Sequence, residues 1–451
     1  MDELDKNILD KQSGVQQLIA LIENSTKIKY RLESLQILRK ICINFENFGG
    51  NKETLISFFE NLLISDSDEI IRNEAALILC HVYRDKALNP MTWALLHEES
   101  PLCLQTILKA LITIVENIAL RNEPITKLIL VHEIKQISDK EFKIGFEILK
   151  SSKRVQDFTP RELADILINY FTIVYLKKSF WRLKYSIEMC KIVELDFIFK
   201  GLTKLPDAIK YLTYLKKLTL RYNQITELPN WIESLCALES LNLNVNNINN
   251  LPSTIGKLSH LKELLLWKNE LQELPNSICL LQSLKYLNLR LNQLEFLPYE
   301  LGNLINLLDL NLHDNKLTEI PESISSLKLL ETLNLSWNLL TTLPLSISNL
   351  TSLISLDLER NELIHVPASI GSLSSLEILN LGDNKLKNIP ETIGNLKELR
   401  ILNLSRNRLT KLPKSINFLD NLEELYLSEN NLDINTNVLN KLEETGLKIY
   451  L

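Results

Sequence analysis

Residues 330 to 344 read Leu-Glu-Thr-Leu-Asn-Leu-Ser-Trp-Asn-Leu-Leu-Thr-Thr-Leu-Pro, and this stretch recurs every 23 residues through the second half of the chain. Its asparagine, Asn338, has counterparts at Asn223, Asn246, Asn269, Asn292, Asn315, Asn361, Asn384, Asn407 and Asn430, with no insertion or deletion between them. Proline keeps the same step from Pro206 to Pro413. Taking each asparagine as position n, apolar residues fill n−8, n−5, n−3, n+2 and n+5, as Leu330, Leu333, Leu335, Leu340 and Leu343 do here, save that Asn435 stands at n+5 of the last copy. One more copy, with Ile192, Leu195, Phe197, Leu202 and Leu205 in frame, carries Lys200 at n. A fixed period of this size is the signature of a solenoid.

The Leu-x-Leu core alternates with period two, which makes it a short strand whose leucines point inward and whose neighbours point out. Proline then removes a backbone donor and forces the chain to turn back, leaving room for only a short helical or 3₁₀ segment on the return. No single unit can bury its leucines alone, so stacked units share one core. Eleven strands in one parallel sheet, at ~4.8 Å per gap, give a concave face roughly 48 Å along its arc. The ten asparagines read as structural: at a turn, a buried amide supplies both a donor and an acceptor to backbone groups that would otherwise be unpaired. Lys200 fits an atypical terminal unit.

The pattern resembles the leucine-rich repeat family in its 23-residue form, LxxLxLxxNxLxxLPxxI, over about residues 192 to 444. The resemblance implies an α/β solenoid of about eleven repeats. The LPxxI variant is similar to cytoplasmic leucine-rich proteins that bind Ras-type small GTPases, so a small GTPase is the partner class it implies.

Both ends of such a stack need covering. Trp181, Leu183, Tyr185 and Ile187 alternate with polar residues, which predicts a strand that hairpins around Met189-Cys190 into the first repeat strand at Ile192 to Phe197. Gly446 to Leu451 predicts a last short strand. Residues 1 to 178 lack the 23-residue step and show helical spacing, as in Leu32, Leu35, Leu38 and Ile41. Leu62 to Leu77, with its acidic turn at Asp66 and Asp68, Arg72 and Ala75-Ala76, is similar to the HEAT helical repeat. A weaker copy runs from Lys27 to Ile41, with Arg31 in the place of Arg72, and a degenerate one from Pro101 to Val115. In that family the acidic turn and the arginine join one repeat to the next, so Asp68 and Arg72 are expected to be architectural. Thr159-Pro160-Arg161-Glu162 is a capping-box start for a helix from about Pro160 to Lys177; residues 122 to 158 read as mostly helical. The expected organisation is a HEAT/ARM-like all-α domain at 1–178, a hairpin cap or linker at 179–191 and the solenoid with its C-terminal cap at 192–451.

Composition narrows the function. Among the 451 residues, 50 Lys and Arg against 56 Asp and Glu give a net charge of −6, far from the basic excess of a nucleic-acid binder. Six cysteines without a CxxC pair read as small buried hydrophobes. The acidic start, Met1 to Lys6, is unlike an export signal, and the most apolar stretch, Ile166 to Leu176, is far short of the ~20 residues that span a bilayer. A cytoplasmic location is expected. No glycine-rich phosphate loop and no histidine pair at metal-ligand spacing is present, so no catalytic residue, cofactor or metal is assigned. The oligomeric state is left open, with a monomer expected, and from the short tail after the last repeat no appended enzyme is expected.

What remains is the outward strand face, at n−6, n−4 and n−2. Six of the n−4 positions are asparagine, at 242, 288, 311, 334, 380 and 403, where stacked amides can bond to one another. The less regular positions carry more information: Leu265, Trp267, Tyr286, Arg290 and His313 on successive repeats, Trp337 at the loop edge, and Arg221 and Glu359 to either side. Aromatic residues beside an arginine are what binding hot spots are made of. The face carries basic Lys217, Arg221 and Arg290 against acidic Glu194, Asp196, Glu263, Asp309, Asp357, Glu359 and Glu424, which favours a mixed or basic protein surface as partner. The reading is a non-enzymatic scaffold or adaptor that grips a protein or peptide. Two alternatives stand beside it: a regulatory or targeting arm on an enzymatic helical half, and nucleic-acid binding by that half.

Overall fold

The computed structural model describes residues 11–44, 52–83, 86–121, 124–433 and 447–451. The chain forms two compact units, Met1–Val193 and Glu194–Leu451. The expectations for Met1 to Lys6, for residues 122–123 and for Gly446 fall outside the described residues.

The first unit is helical: α1 (Lys11–Asn24), α2 (Ile28–Asn44), α3 (Lys52–Ser65), α4 (Glu69–Val82), α5 (Leu88–His97), α6 (Pro101–Arg121), α7 (Pro124–Gln136), α8 (Lys140–Ser152) and α9 (Pro160–Ser179). They pack as successive pairs, α1 on α2, α3 on α4 and α5 on α6, while α2, α4, α6 and α9 stack in turn behind them. Ile22, Leu35, Leu38, Ile78, Leu79, Ile107, Leu111 and Phe171 form the fully buried core between the layers. Helix α6 corrects the reading of the apolar stretches: it is 21 residues long and, by length and composition, apolar enough to cross a membrane. Here its apolar side, from Cys103 to Ala119, is buried, and it packs on α4 and α9. Thr159 caps α9 in both directions of a capping box, with Pro160 at the first turn and Glu162 reaching back to the Thr159 N–H at 2.7 Å.

Charged side chains join the helix pairs. The Arg31 guanidinium meets Asp66, Arg39 meets Glu74 at 3.0 Å, and Arg72 forks onto Glu98 at 2.8 and 2.9 Å while also donating to the Asp66 carbonyl at 2.8 Å. Arg72 is thus architectural. Asp68 acts differently from expectation, since its carboxylate caps α4 by accepting from the Ile70 and Ile71 N–H groups, and Asp66 and Glu98 take the arginines. Of the six cysteines, five are buried, but Cys236 is exposed and departs from the expected small-hydrophobe role.

After α9 come β1 (Lys184–Glu188) and β2 (Lys191–Asp196), joined by Met189 and Cys190, both at positive φ (48° and 63°), the geometry of a two-residue hairpin turn. The strand starts three residues later than the alternation indicated, and Trp181 is exposed.

In the second unit, β3 (Lys217–Thr219), β4 (Ser240–Asn242), β5 (Glu263–Leu265), β6 (Tyr286–Asn288), β7 (Asp309–Asn311), β8 (Thr332–Asn334), β9 (Ser355–Asp357), β10 (Ile378–Asn380), β11 (Ile401–Asn403), β12 (Glu424–Tyr426) and β13 (Lys448–Tyr450) follow β2 in strict order, each parallel to the last. Each step of 23 residues pairs equivalent positions, as Leu287 with Leu310, so the repeat length is the sheet register. Proline precedes a five-residue 3₁₀ turn on each return, as Pro321 does before Glu322–Ser326. The leucines of the frame are buried, except Leu422 and Leu432 in the last repeat, which are half-buried.

The asparagines at n hold the turns. Asn315 donates to the Leu312 carbonyl of its own repeat and to the Leu289 carbonyl of the preceding one, both at 3.0 Å, and accepts from the Leu294 N–H at 3.0 Å. The same set recurs from Asn223 to Asn430, and at the atypical first unit Asn223 accepts from both Lys200 and Leu202. The residue before each of these asparagines is left-handed, φ 51° to 58°, whether it is Val245, Leu291 or Trp337. That conformation is unfavourable for a side chain bearing Cβ, most of all for β-branched Val245, and the flanking ladder enforces it.

Candidate functional site

The eight singled-out residues stand on the strand face or its edge, but not as one cluster. Leu265 ends β5 and Trp267 lies two residues on; Tyr286 lies beside Glu263 on one side and Asp309 on the other, and Leu265 pairs with Asn288. Tyr286, Arg290 and Trp337 are exposed, while Leu265, Trp267 and His313 are half-buried. The Trp267 indole N–H is enclosed without an acceptor. Its backbone N–H donates to the Asn244 side chain of the preceding repeat at 2.8 Å, because Leu265 replaces the polar residue that serves this purpose elsewhere.

His313 is held by a relay. The Ser336 hydroxyl donates to the Asn334 amide oxygen at 2.6 Å, so His313 Nδ1, at 2.7 Å from that hydroxyl, carries the proton and donates to it, leaving Nε2 as an acceptor. Burial lowers the pKa of His313, and the Arg290 guanidinium lowers it further, so the ring is neutral at neutral pH. Trp337 sits 6.1 Å from the His313 ring, and Arg360 lies over its indole at 3.9 Å while pairing with Asp383 at 3.1 Å. Asp309 is raised above the ordinary carboxylate value by burial. Glu359 accepts from Asn380 at 3.4 Å. Arg290, Asp357 and Glu359 make no ion pair among the described residues.

Arg221 stands apart. Its guanidinium packs over Tyr222 at 4.7 Å, and Tyr222 stacks on Phe199 with ring centroids 4.5 Å apart. The Phe199, Tyr222 and Arg360 contributions were not read from the sequence. All three occupy the left-handed position before n, whose residue types follow no pattern, so only its phase next to the asparagine could have marked it. The n−4 asparagines also differ from expectation. Their amide oxygens accept from their own strand two residues on, as Asn288 does from Arg290 and Asn311 from His313, both at 3.1 Å. They shape the strand exit.

In the helical unit the Cys103 thiol is pushed up to about 11, first by burial and then by Glu98, and Cys190 to about 12 by burial, which disfavours the thiolate at both. No group of three or more His, Cys, Asp or Glu side chains fit to hold a metal occurs among the described residues.

Family models for a leucine-rich repeat region match residues 230–314 and 289–385, and further leucine-rich repeat models match 374–432 and 214–235. A leucine-rich repeat protein of Leptospira interrogans is 31% identical, over 56% of this chain and 82% of that one, with a TM-score of 0.35. The chain belongs to the leucine-rich repeat family. The plant peptide hormone receptor RGFR1, solved with RGF2, is 31% identical over 51% of this chain and 42% of its own, with a TM-score of 0.43. Toll, from the Drosophila Toll–Spätzle complex, is 28% identical over 57% of this chain and 35% of its own, with a TM-score of 0.51. The leucine-rich repeat chain thus spans less than half of the RGFR1 and Toll chains. No curated protein matches it. The leucine-rich repeat solenoid is a protein-interaction fold.

Proposed function

We propose that this leucine-rich repeat protein is a non-enzymatic scaffold or adaptor that binds a folded protein or peptide on the strand face between β5 and β9. One observation carries the reading. The leucines and the n asparagines are wholly committed to the core and turns, whereas Leu265, Trp267, Tyr286, Arg290, His313 and Trp337 leave aromatic faces, an acceptor and an unpaired guanidinium on the same side of neighbouring strands. Aromatic and arginine side chains of this kind dominate interface energies. Asp357 and Glu359 extend the face with negative charge, which suits a partner that carries basic side chains next to an apolar one. The Toll–Spätzle and RGFR1–RGF2 complexes give precedent for macromolecular ligands on related folds.

A Ras-type small GTPase is the specific partner class proposed, on the strength of the LPxxI repeat form alone. The cytoplasmic setting is part of the same proposal and rests on cysteine usage. Affinity purification from the native cell with mass spectrometry identifies the partner, and capture of GTP-loaded against GDP-loaded GTPases tests the class. Trp267→Asp together with Arg290→Glu is expected to abolish capture while leaving the melting transition nearly unchanged. Capture at wild-type affinity by that variant moves the site elsewhere.

A further inference from the structure

A cleft of about 290 Å³ opens in the helical unit, independent of the strand face. Its walls are the end of α3 with Ile64, the turn at Asp66, Arg72 at the start of α4, and the end of α5 from Trp93 to Glu99. The volume sits at the lower limit of small-ligand clefts, roughly 300 Å³, which is room for one long side chain.

Which ligand fits follows from the groups already occupied. Arg72 gives its Nε and both terminal nitrogens to Glu98 and to the Asp66 and Ser67 carbonyls. Glu98 in return accepts from Arg72 and from the Glu99 and Ser100 N–H groups; burial opposes its ionisation, but these partners together hold it below the ordinary carboxylate value. Asp66 takes the Arg31 guanidinium and the Asp68 N–H. The guanidinium is therefore unavailable to an anion.

Three features remain open to a ligand. Trp93, 42% exposed, is braced by His97, whose ring stacks on it at 4.0 Å and whose Nδ1 donates to the Trp93 carbonyl at 2.8 Å. Ile64 is exposed opposite. The Glu99 carboxylate is exposed at the mouth, close to the carbonyl end of α5, where the helix adds partial negative charge. The neighbouring cation, Lys178, donates to the Glu98 carbonyl at 2.7 Å; its charge also acts on Glu99, but no ion pair joins the two among the described residues. An indole face beside a carboxylate, over an apolar wall, is a receptor for a cation on an alkyl stem.

We infer that this cleft binds a lysine or arginine side chain of a partner polypeptide, its stem against Ile64 and Trp93 and its charge toward Glu99. The test uses the full chain labelled at its tryptophan indoles, with the Trp93 signal assigned by Trp93→Phe. N-acetyl-lysine N-methylamide and the arginine counterpart should shift that signal saturably, whereas the norleucine counterpart, with the same stem and no charge, should bind about five- to tenfold more weakly. Glu99→Gln should weaken the lysine titration by a similar factor and leave the norleucine one unchanged; the other indole signals report that the fold is intact. Equal binding of lysine and norleucine, an unchanged lysine titration in Glu99→Gln, or no indole shift with either cation overturns the assignment.

Discussion

The two units solve one problem, joining each repeat to the next, with opposite chemistry. In the solenoid a short, uncharged amide does it: every asparagine reaches the same carbonyl 26 residues back and the same N–H 21 residues back. In the helical unit, long charged side chains do it, and the separations vary: 35 residues for Arg31 to Asp66 and for Arg39 to Glu74, 26 for Arg72 to Glu98. An amide with two rotatable bonds tolerates no change of spacing, so the repeat cannot gain or lose a residue without orphaning a buried group. An arginine can extend or fold to meet its carboxylate, so the spacing between joined helices can vary.

The largest expected effect breaks the rigid half of that comparison. Asn315→Ala leaves the buried Leu294 N–H without a partner and takes one of two amide donors from each of the Leu289 and Leu312 carbonyls, which keep Asn292 and Asn338, and should destabilise the solenoid by about 3 kcal/mol. Asn311→Ala, in the half-buried n−4 row, removes one local bond and should cost only about 1 kcal/mol. Denaturant unfolding of both variants measures the difference, and equal losses would erase the distinction between the two asparagine rows. Next in size, Arg72→Ala removes one partner of a largely buried pair and should destabilise the helical unit by about 2 kcal/mol. Hydrogen exchange should place that loss in α4 to α6 and leave β3 to β12 unchanged.

The smallest effect is a pH dependence. Because the folded Glu98 pKa lies below its unfolded value, its contribution is present above the ordinary carboxylate range and is lost as pH falls through the lowered folded value. Glu98→Gln should therefore flatten the acid limb of the helical unit's stability curve. A limb of unchanged steepness would show that the Arg72–Glu98 pair contributes nothing to acid sensitivity.

The same contrast explains what the residues revealed before any coordinates. Leu333, Leu335 and Asn338 recur without drift, so strands, register, return turns and the role of the asparagines were legible. The capping box at Thr159 was legible because four adjacent residues contain it. Arg72 was read correctly as architectural, but its acceptor was not, since Glu98 lies 26 residues on, at the end of another helix, and nothing local marks it. The strand-face residues were placed by phase alone. Their hydrogen-bond relay, from His313 through Ser336 to Asn334, was hidden because it joins adjacent repeats through side chains that the period leaves free to vary. The left-handed residue before each asparagine was hidden because the flanking hydrogen-bond ladder, rather than residue type, defines it.

The proposed division of labour is that the leucine frame holds the structure while the outward strand residues hold the partner. Hydrogen exchange of the full chain, with and without the partner captured from its native cell, tests it directly. New protection is expected from Glu263 to Glu359 at the strand residues and their exits. Protection confined to the 3₁₀ turns on the return side, with the strand residues unchanged, would contradict it.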